Sequence, residues 1–183
     1  MRRIRAKQTL HDEWMAPLEV VRQVNVDYID TLQWFQINTL FHWRDSWNTA
    51  LFYLTGHSLK QFQRAASRMA NDLKTQKACF TGILRAHHVP DVRYFSSDGL
   101  RCLVFDQQSD RRIATYNLNT QKRLHTESLP DVVVVMRMFY DSDDQRWKHE
   151  RHIQDLPHAW LATTPHPKID HMIRFTKSIG RDQ

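Results

Sequence analysis

Residues Val132–Tyr140 read VVVVMRMFY, and Asp141-Ser142-Asp143-Asp144 follows before Arg146-Trp147-Lys148. The first stretch is apolar on both faces, the pattern of a strand that lies inside a sheet and is covered on both sides. The acidic-serine cluster is a turn signal, and Arg146–Ile153 then returns as the hairpin partner. Upstream, period-two alternation begins near Cys79. Phe80, Gly82, Leu84 and Ala86 fall on one face and Cys79, Thr81, Ile83 and Arg85 on the other. Pro90-Asp91 breaks that run, and 92–95 predicts a short strand. Ser96-Ser97-Asp98-Gly99 is a turn, 100–105 the next strand, 106–110 a polar turn and 112–118 another strand. Consecutive strands joined by short turns predict an antiparallel sheet.

The first half has a different period. Trp14, Leu18, Val21, Val24, Tyr28, Leu32 and Phe35 are three or four residues apart, one face of a helix running to about Asn38. Pro17 falls in its first turn, where proline costs little. A second helix is expected from Asp45, a suitable N-cap, with Trp47, Ala50, Leu51 and Leu54 on its buried face. Thr55-Gly56 ends it, with Gly56 in the left-handed position. Ser58 caps a third helix with the face Leu59, Phe62, Ala66, Met69 and Leu73. Helices first and strands after give an α+β fold, N-terminal helices packed on one face of a curved, mainly antiparallel sheet.

The 183 residues suit one domain. The organisation reads as a basic segment 1–11, the α+β domain 12–156 and a tail 157–183. Around Ile169, Met172, Ile173 and Phe175 that tail either forms a short helix or is partly without fixed structure. No apolar run reaches the roughly 18–20 residues of a membrane helix, and no apolar stretch follows the basic N-terminus as in a signal peptide. A cytoplasmic protein is expected, with a membrane involved only if a hydrophobic segment lies outside this chain. Cys79 and Cys102 have no metal-type spacing; they read as two reduced core thiols, with one disulfide as the alternative. The net charge of +6 is spread along the chain, which favours solubility over a nucleic-acid footprint.

Three stretches resemble the nuclear transport factor 2-like superfamily, the cystatin-like α+β cone: Trp47–Gly56 with the helix opening at Ser58-Leu59, the strand Val132–Tyr140, and the closing strand Arg146-Trp147-Lys148. The resemblance covers roughly residues 12–156. It implies a sheet curled around helices and a pocket open at one end. Some members are dehydratases or isomerases with buried acid/base residues. Many others are non-catalytic, serving as transport factors, secretion or translocase domains, or dimerisation modules. The chain lacks the helix between strands that some members have.

The candidate sites divide between chemistry and packing. Arg137 interrupts the apolar strand and either binds an anionic ligand or carboxylate in the cone or packs its stem and sends its head to water. Asp27, Asp30, His42 and Asp45 are the acid/base candidates. Asp27 more simply flanks the buried helix face, and Asp45 is a cap. Ligand binding is assigned to Arg137, Asp27 and His42. Arg2, Arg3, Arg5 and Lys7 are the candidate anion-binding residues, suited to nucleic acid or acidic lipid. His87-His88, His149, His152, His166 and His171 form no recognised ligand set and read as scattered surface histidines, so neither metal nor cofactor is expected. Trp43, Trp47 and Trp147 read as core rather than as base-stacking platforms. No GxSxG or Gly-rich phosphate loop occurs. The expected function is a non-catalytic protein-interaction or ligand-pocket module, with the double-apolar strand suited to a lined pocket or to a homodimer through the sheet. The alternatives are a lyase or isomerase with an acid/base pair in the cone and a binder of anionic surfaces.

Overall fold

The computed structural model describes residues 16–41, 43–74, 79–117, 119–153 and 171–174. Three helices precede the sheet: α1 (Leu18–Phe41), α2 (Trp43–Tyr53) and α3 (Gly56–Lys74). Six strands follow: β1 (Cys79–Arg93), β2 (Arg101–Asn117), β3 (Arg123–Leu129), β4 (Val132–Asp141), β5 (Arg146–Ile153) and β6 (His171–Arg174). The sheet order is β5-β4-β2-β1-β6, with β3 also paired to β2, and every pairing is antiparallel. The expected α+β layout is what the chain adopts.

The Pro17 carbonyl starts α1 by accepting the amides of Val20 and Val21. Its stripe Val21, Val24, Tyr28 and Ile29 then packs on Val92, Phe95, Cys102, Val104, Met138 and Trp147 from the inner face of the sheet. This is the core, and burial of apolar area holds the long helix against the strands. A second cluster, Trp34, Ala50, Leu54 and Phe62 with Phe35, Tyr53 and Leu59, joins the three helices. On the opposite face of the sheet Leu103, Phe105 and Val135 form a smaller cluster with Tyr94 and Ile153.

Several expectations about the strands are corrected. Pro90 does not break the first strand: β1 runs through it, with Pro90 opposite Asp106. On its other side β1 pairs with β6 only over Arg85–His88, so at Pro90 that side carries no ladder among the described residues and a missing N–H is tolerated. Residues 106–110 are strand rather than turn, because Asp106 and Gln108 point inward to partners while Gln107 is exposed. The irregularity falls later: Asp110 has φ +45° beside a bulge between the Arg85 and His87 pairings. β3 has no apolar alternation because nearly all of it is exposed. The described part of the tail, His171–Arg174, is a strand on β1 and not a helix. Only part of Val132–Tyr140 is covered, since Val132 and Val133 are exposed.

The helix expectations hold better. Helix α2 begins at Trp43, which puts Asp45 inside the first turn instead of at the cap. Gly56 does adopt φ +52°, as expected, and a Cβ there would meet Cγ of Glu150 at 3.1 Å. It opens α3, which puts Ser58 inside the first turn and not at the cap; just before it the Thr55 amide donates to the His149 carbonyl at 2.9 Å and ties the helices to the edge of β5. Trp47 and Leu51, expected in the core, are outside it, because Ala50 and Leu54 form the buried seam and Trp34 fills the space against them.

Candidate functional site

The spacing that buries Val21 and Val24 also turns Tyr28 inward. Alternation along β2 sends Asp106 and Gln108 to the same side, and β1 and β5 add His88 and His149. These five side chains are at most 4% exposed. Tyr28 OH donates to Asp106 Oδ2 at 2.9 Å and Gln108 Nε2 donates to the same oxygen at 2.8 Å. His88 Nδ1 lies 2.7 Å from it. His149 stacks on Tyr28, with ring centroids 5.1 Å apart, and leans on Phe35 at 6.2 Å.

The electrostatics follow from burial. Desolvation drives the Tyr28 phenol well above its ordinary range, and the neighbouring Asp106 carboxylate adds to that. The His149 imidazole is lowered to about 3, first by burial and then by the positive Arg146, with Asp106 opposing. Tyr28 and His149 are therefore neutral at ordinary pH. Burial likewise raises the Cys102 thiol well above its usual value. The cluster is unevenly satisfied: Asp106 Oδ2 is contacted by three groups, whereas Asp106 Oδ1, His88 Nε2, Gln108 Oε1 and His149 Nε2 have no hydrogen-bond partner among the described residues. Such atoms in a closed interior cost free energy.

A second constellation joins α1, α2 and β5. Asp27 is buried; its Oδ2 accepts the Trp147 amide at 2.8 Å and its Oδ1 accepts Gln23 Nε2 at 3.0 Å. Arg146 Nη2 donates to Asp30 Oδ2 at 3.0 Å and lies 4.0 Å from Asp27. Its guanidinium carbon is 4.2 Å from the Phe52 ring centroid and 4.6 Å from that of Tyr53. Burial raises the Asp27 carboxyl, outweighing the Trp147 bond and Arg146 that lower it. The arrangement clamps helix to sheet.

The expected ligand set of Arg137, Asp27 and His42 is not assembled by the described residues. Arg137 is on the sheet face away from α1, where its Nε lies 2.6 Å from Glu150 Oε2 and Arg101 Nε lies 3.5 Å from the same oxygen. Alternation made Val135 its neighbour correctly, but that face is not the inner one. His42, Arg2, Arg3, Arg5, Lys7 and His166 lie outside the described residues, as do the side chains of Trp43, Asp45 and His171. Trp147 is buried as expected. His87 and His88 face opposite ways as expected, but His88 and His149 are core residues and not surface histidines; His152 is exposed. Nothing in the sequence pattern singles out Tyr28, Asp106 and Gln108 as polar partners beyond the Asp-x-Gln pair spaced by two, which a continuous strand would send to one face. Among the described residues, no three His, Cys, Asp or Glu side chains are grouped to hold a metal ion, and no helix is long and apolar enough to cross a membrane.

No family model matches the chain, and no curated protein matches it either. Among solved structures, the chain is similar to the intermembrane space region of the chloroplast protein ARC6, with a TM-score of 0.53 and 14% sequence identity. The match covers 76% of this chain and 97% of that one. At that identity the likeness is one of fold, and function must be argued from this chain's own surfaces.

Proposed function

We propose that this chain is a non-catalytic protein-interaction module of the nuclear transport factor 2-like type. The observation that carries the reading is the division between inside and outside. The cluster of Tyr28, His88, Asp106 and His149 is buried between α1 and the sheet, whereas α2 turns Trp47, Leu51 and Phe52 to solvent at 42%, 63% and 43% exposure. Trp47 and Leu51 are one helical turn apart, and Phe52 adjoins Leu51. Large side chains grouped outward in this way mark contact surfaces. The helix that carries them is packed against its neighbours through Ala50 and Tyr53 and lies beside Arg146, whose guanidinium carbon is 4.2 Å from the Phe52 ring centroid. The two free thiols, Cys79 exposed and Cys102 buried, fit a reducing, cytoplasmic setting.

The test compares two substitutions. Leu51→Glu changes the outer face and Tyr28→Phe the inner cluster. An interaction module loses partner capture with Leu51→Glu at unchanged melting temperature, and keeps it with Tyr28→Phe at a lowered one. Capture unaffected by Leu51→Glu would count against the proposal.

A lyase or isomerase is the second reading. It is favoured by the four unpartnered polar atoms around Asp106, which supply the donors and acceptors that acid/base chemistry uses. Its residues would be Tyr28, His88 and Asp106, and it requires the interior to open to substrate. Turnover by the wild-type protein that is abolished by both Tyr28→Phe and His88→Gln would establish it.

A further inference from the structure

Strand β3 is attached to the sheet along one side only: among the described residues it pairs with β2 and with nothing else, and positions 123–128 are all exposed. A strand with one free edge offers unpaired amides and carbonyls to another chain. On the same side of β2 the neighbouring strand β4 is treated differently: β5 covers it over Val135–Asp141, and Leu54 and Thr55 lie along β5 in turn, the Thr55 amide bonding to it.

We infer that the edge of β3 that no described strand covers pairs antiparallel with β3 of a second copy of this chain, about a two-fold axis at Thr126. The sequence of β3 is self-complementary in that register. His125 of one copy falls opposite Glu127 of the other, and the same contact recurs across the axis. Within one strand these two side chains already face the same way, with Nε2 of His125 3.7 Å from Oε2 of Glu127, so pairing builds an alternating quartet of two imidazoles and two carboxylates. Thr126 meets its own copy, a favourable cross-strand pair. Leu124, more than half exposed, falls opposite Ser128 on the other face. Sliding the axis by one residue to His125 sets Arg123 opposite Glu127 but places the two histidines against each other, so residues 125 and 127 face one another only in the Thr126 register. A closed two-fold contact also uses up both free edges at once, so it yields a dimer and no longer assembly. This interface is separate from the α2 surface and stands or falls without it.

Sedimentation velocity over a concentration series tests the pairing, with charge exchange as the probe. Both altered residues are exposed, so the fold is not at risk. The wild-type protein is expected to dimerise. His125→Glu sets carboxylates opposite each other twice and weakens the dimer by about tenfold or more. Glu127→His weakens it likewise, and the doubly exchanged protein recovers the wild-type dissociation constant. A wild-type protein that stays monomeric, or a dimer indifferent to both single exchanges, overturns the inference. So does a double exchange that fails to restore a dimer lost in the singles.

Discussion

Replacing His149 by Phe should flatten the acid sensitivity of this protein. In the unfolded chain the imidazole has its ordinary value of 6.5, and in the fold it is lowered to about 3. Between those values the unfolded state binds a proton that the folded state excludes. The contribution is therefore fully present above 6.5 and is lost as pH falls toward 3. At about 1.4 kcal/mol per pH unit, acidification to about pH 4.5 removes roughly 3 kcal/mol. Phe keeps the stacking against Tyr28 and Phe35 and has nothing to protonate. Urea unfolding at about pH 7 and 4.5 measures both proteins. The wild type should lose roughly 3 kcal/mol more than His149→Phe across that interval. Asp27, whose carboxyl is raised, gains stability as pH falls through its folded value, the opposite sign, and it cancels because both proteins carry it. Asp141 is lowered, first by its bond from Lys148, and its contribution is lost only below the ordinary 3.8. Equal acid losses in the two proteins would refute the reasoning, since His149 would then be reachable by protons in the folded state.

Three further substitutions probe the same structure by urea unfolding. Gly56→Ala forces a side chain into φ +52° and against Glu150, and should cost about 1–2 kcal/mol. Arg146→Ala leaves Asp27 buried without its cation and empties the space beside Phe52 and Tyr53; a loss of roughly 3 kcal/mol is expected. Tyr28→Phe removes one of three contacts to Asp106 Oδ2 and should cost about 1–2 kcal/mol. A change near zero for any of them would remove that contact from the account.

The helices and the β4–β5 hairpin were legible because their patterning is local. Val21, Val24 and Tyr28 repeat at the helical period, and Arg146–Ile153 is bounded by the Asx turn in which the Asp141 carboxylate accepts the amides of Asp143 and Asp144. Strand continuity through Pro90 and through Asp106–Asp110 was not legible, because it depends on partners far along the chain. Asp106 is tolerable inside because Tyr28, 78 residues away, and His88 reach it together with the nearby Gln108. From composition alone such a residue reads as turn. The same cause hid the polar cluster, since His88 and His149 sit in surroundings that give no sequence signal of burial. Arg137 shows the limit of alternation, which groups residues by face but does not say which face meets the helices. The exposure of Trp47 and Leu51 was illegible for a related reason: α2 has more apolar residues than its seam can bury, and packing selects Ala50 and Leu54.

The outer face of α2 can be tested directly by placing a photo-activatable residue at Leu51, with Gln61 on the exposed side of α3 as the control position. Irradiation in cells should give one discrete adduct from position 51, lost when Trp47 is replaced by Glu, and none from position 61. Adducts of equal yield from both positions, or none from position 51, would contradict the proposal that this face is where the protein works.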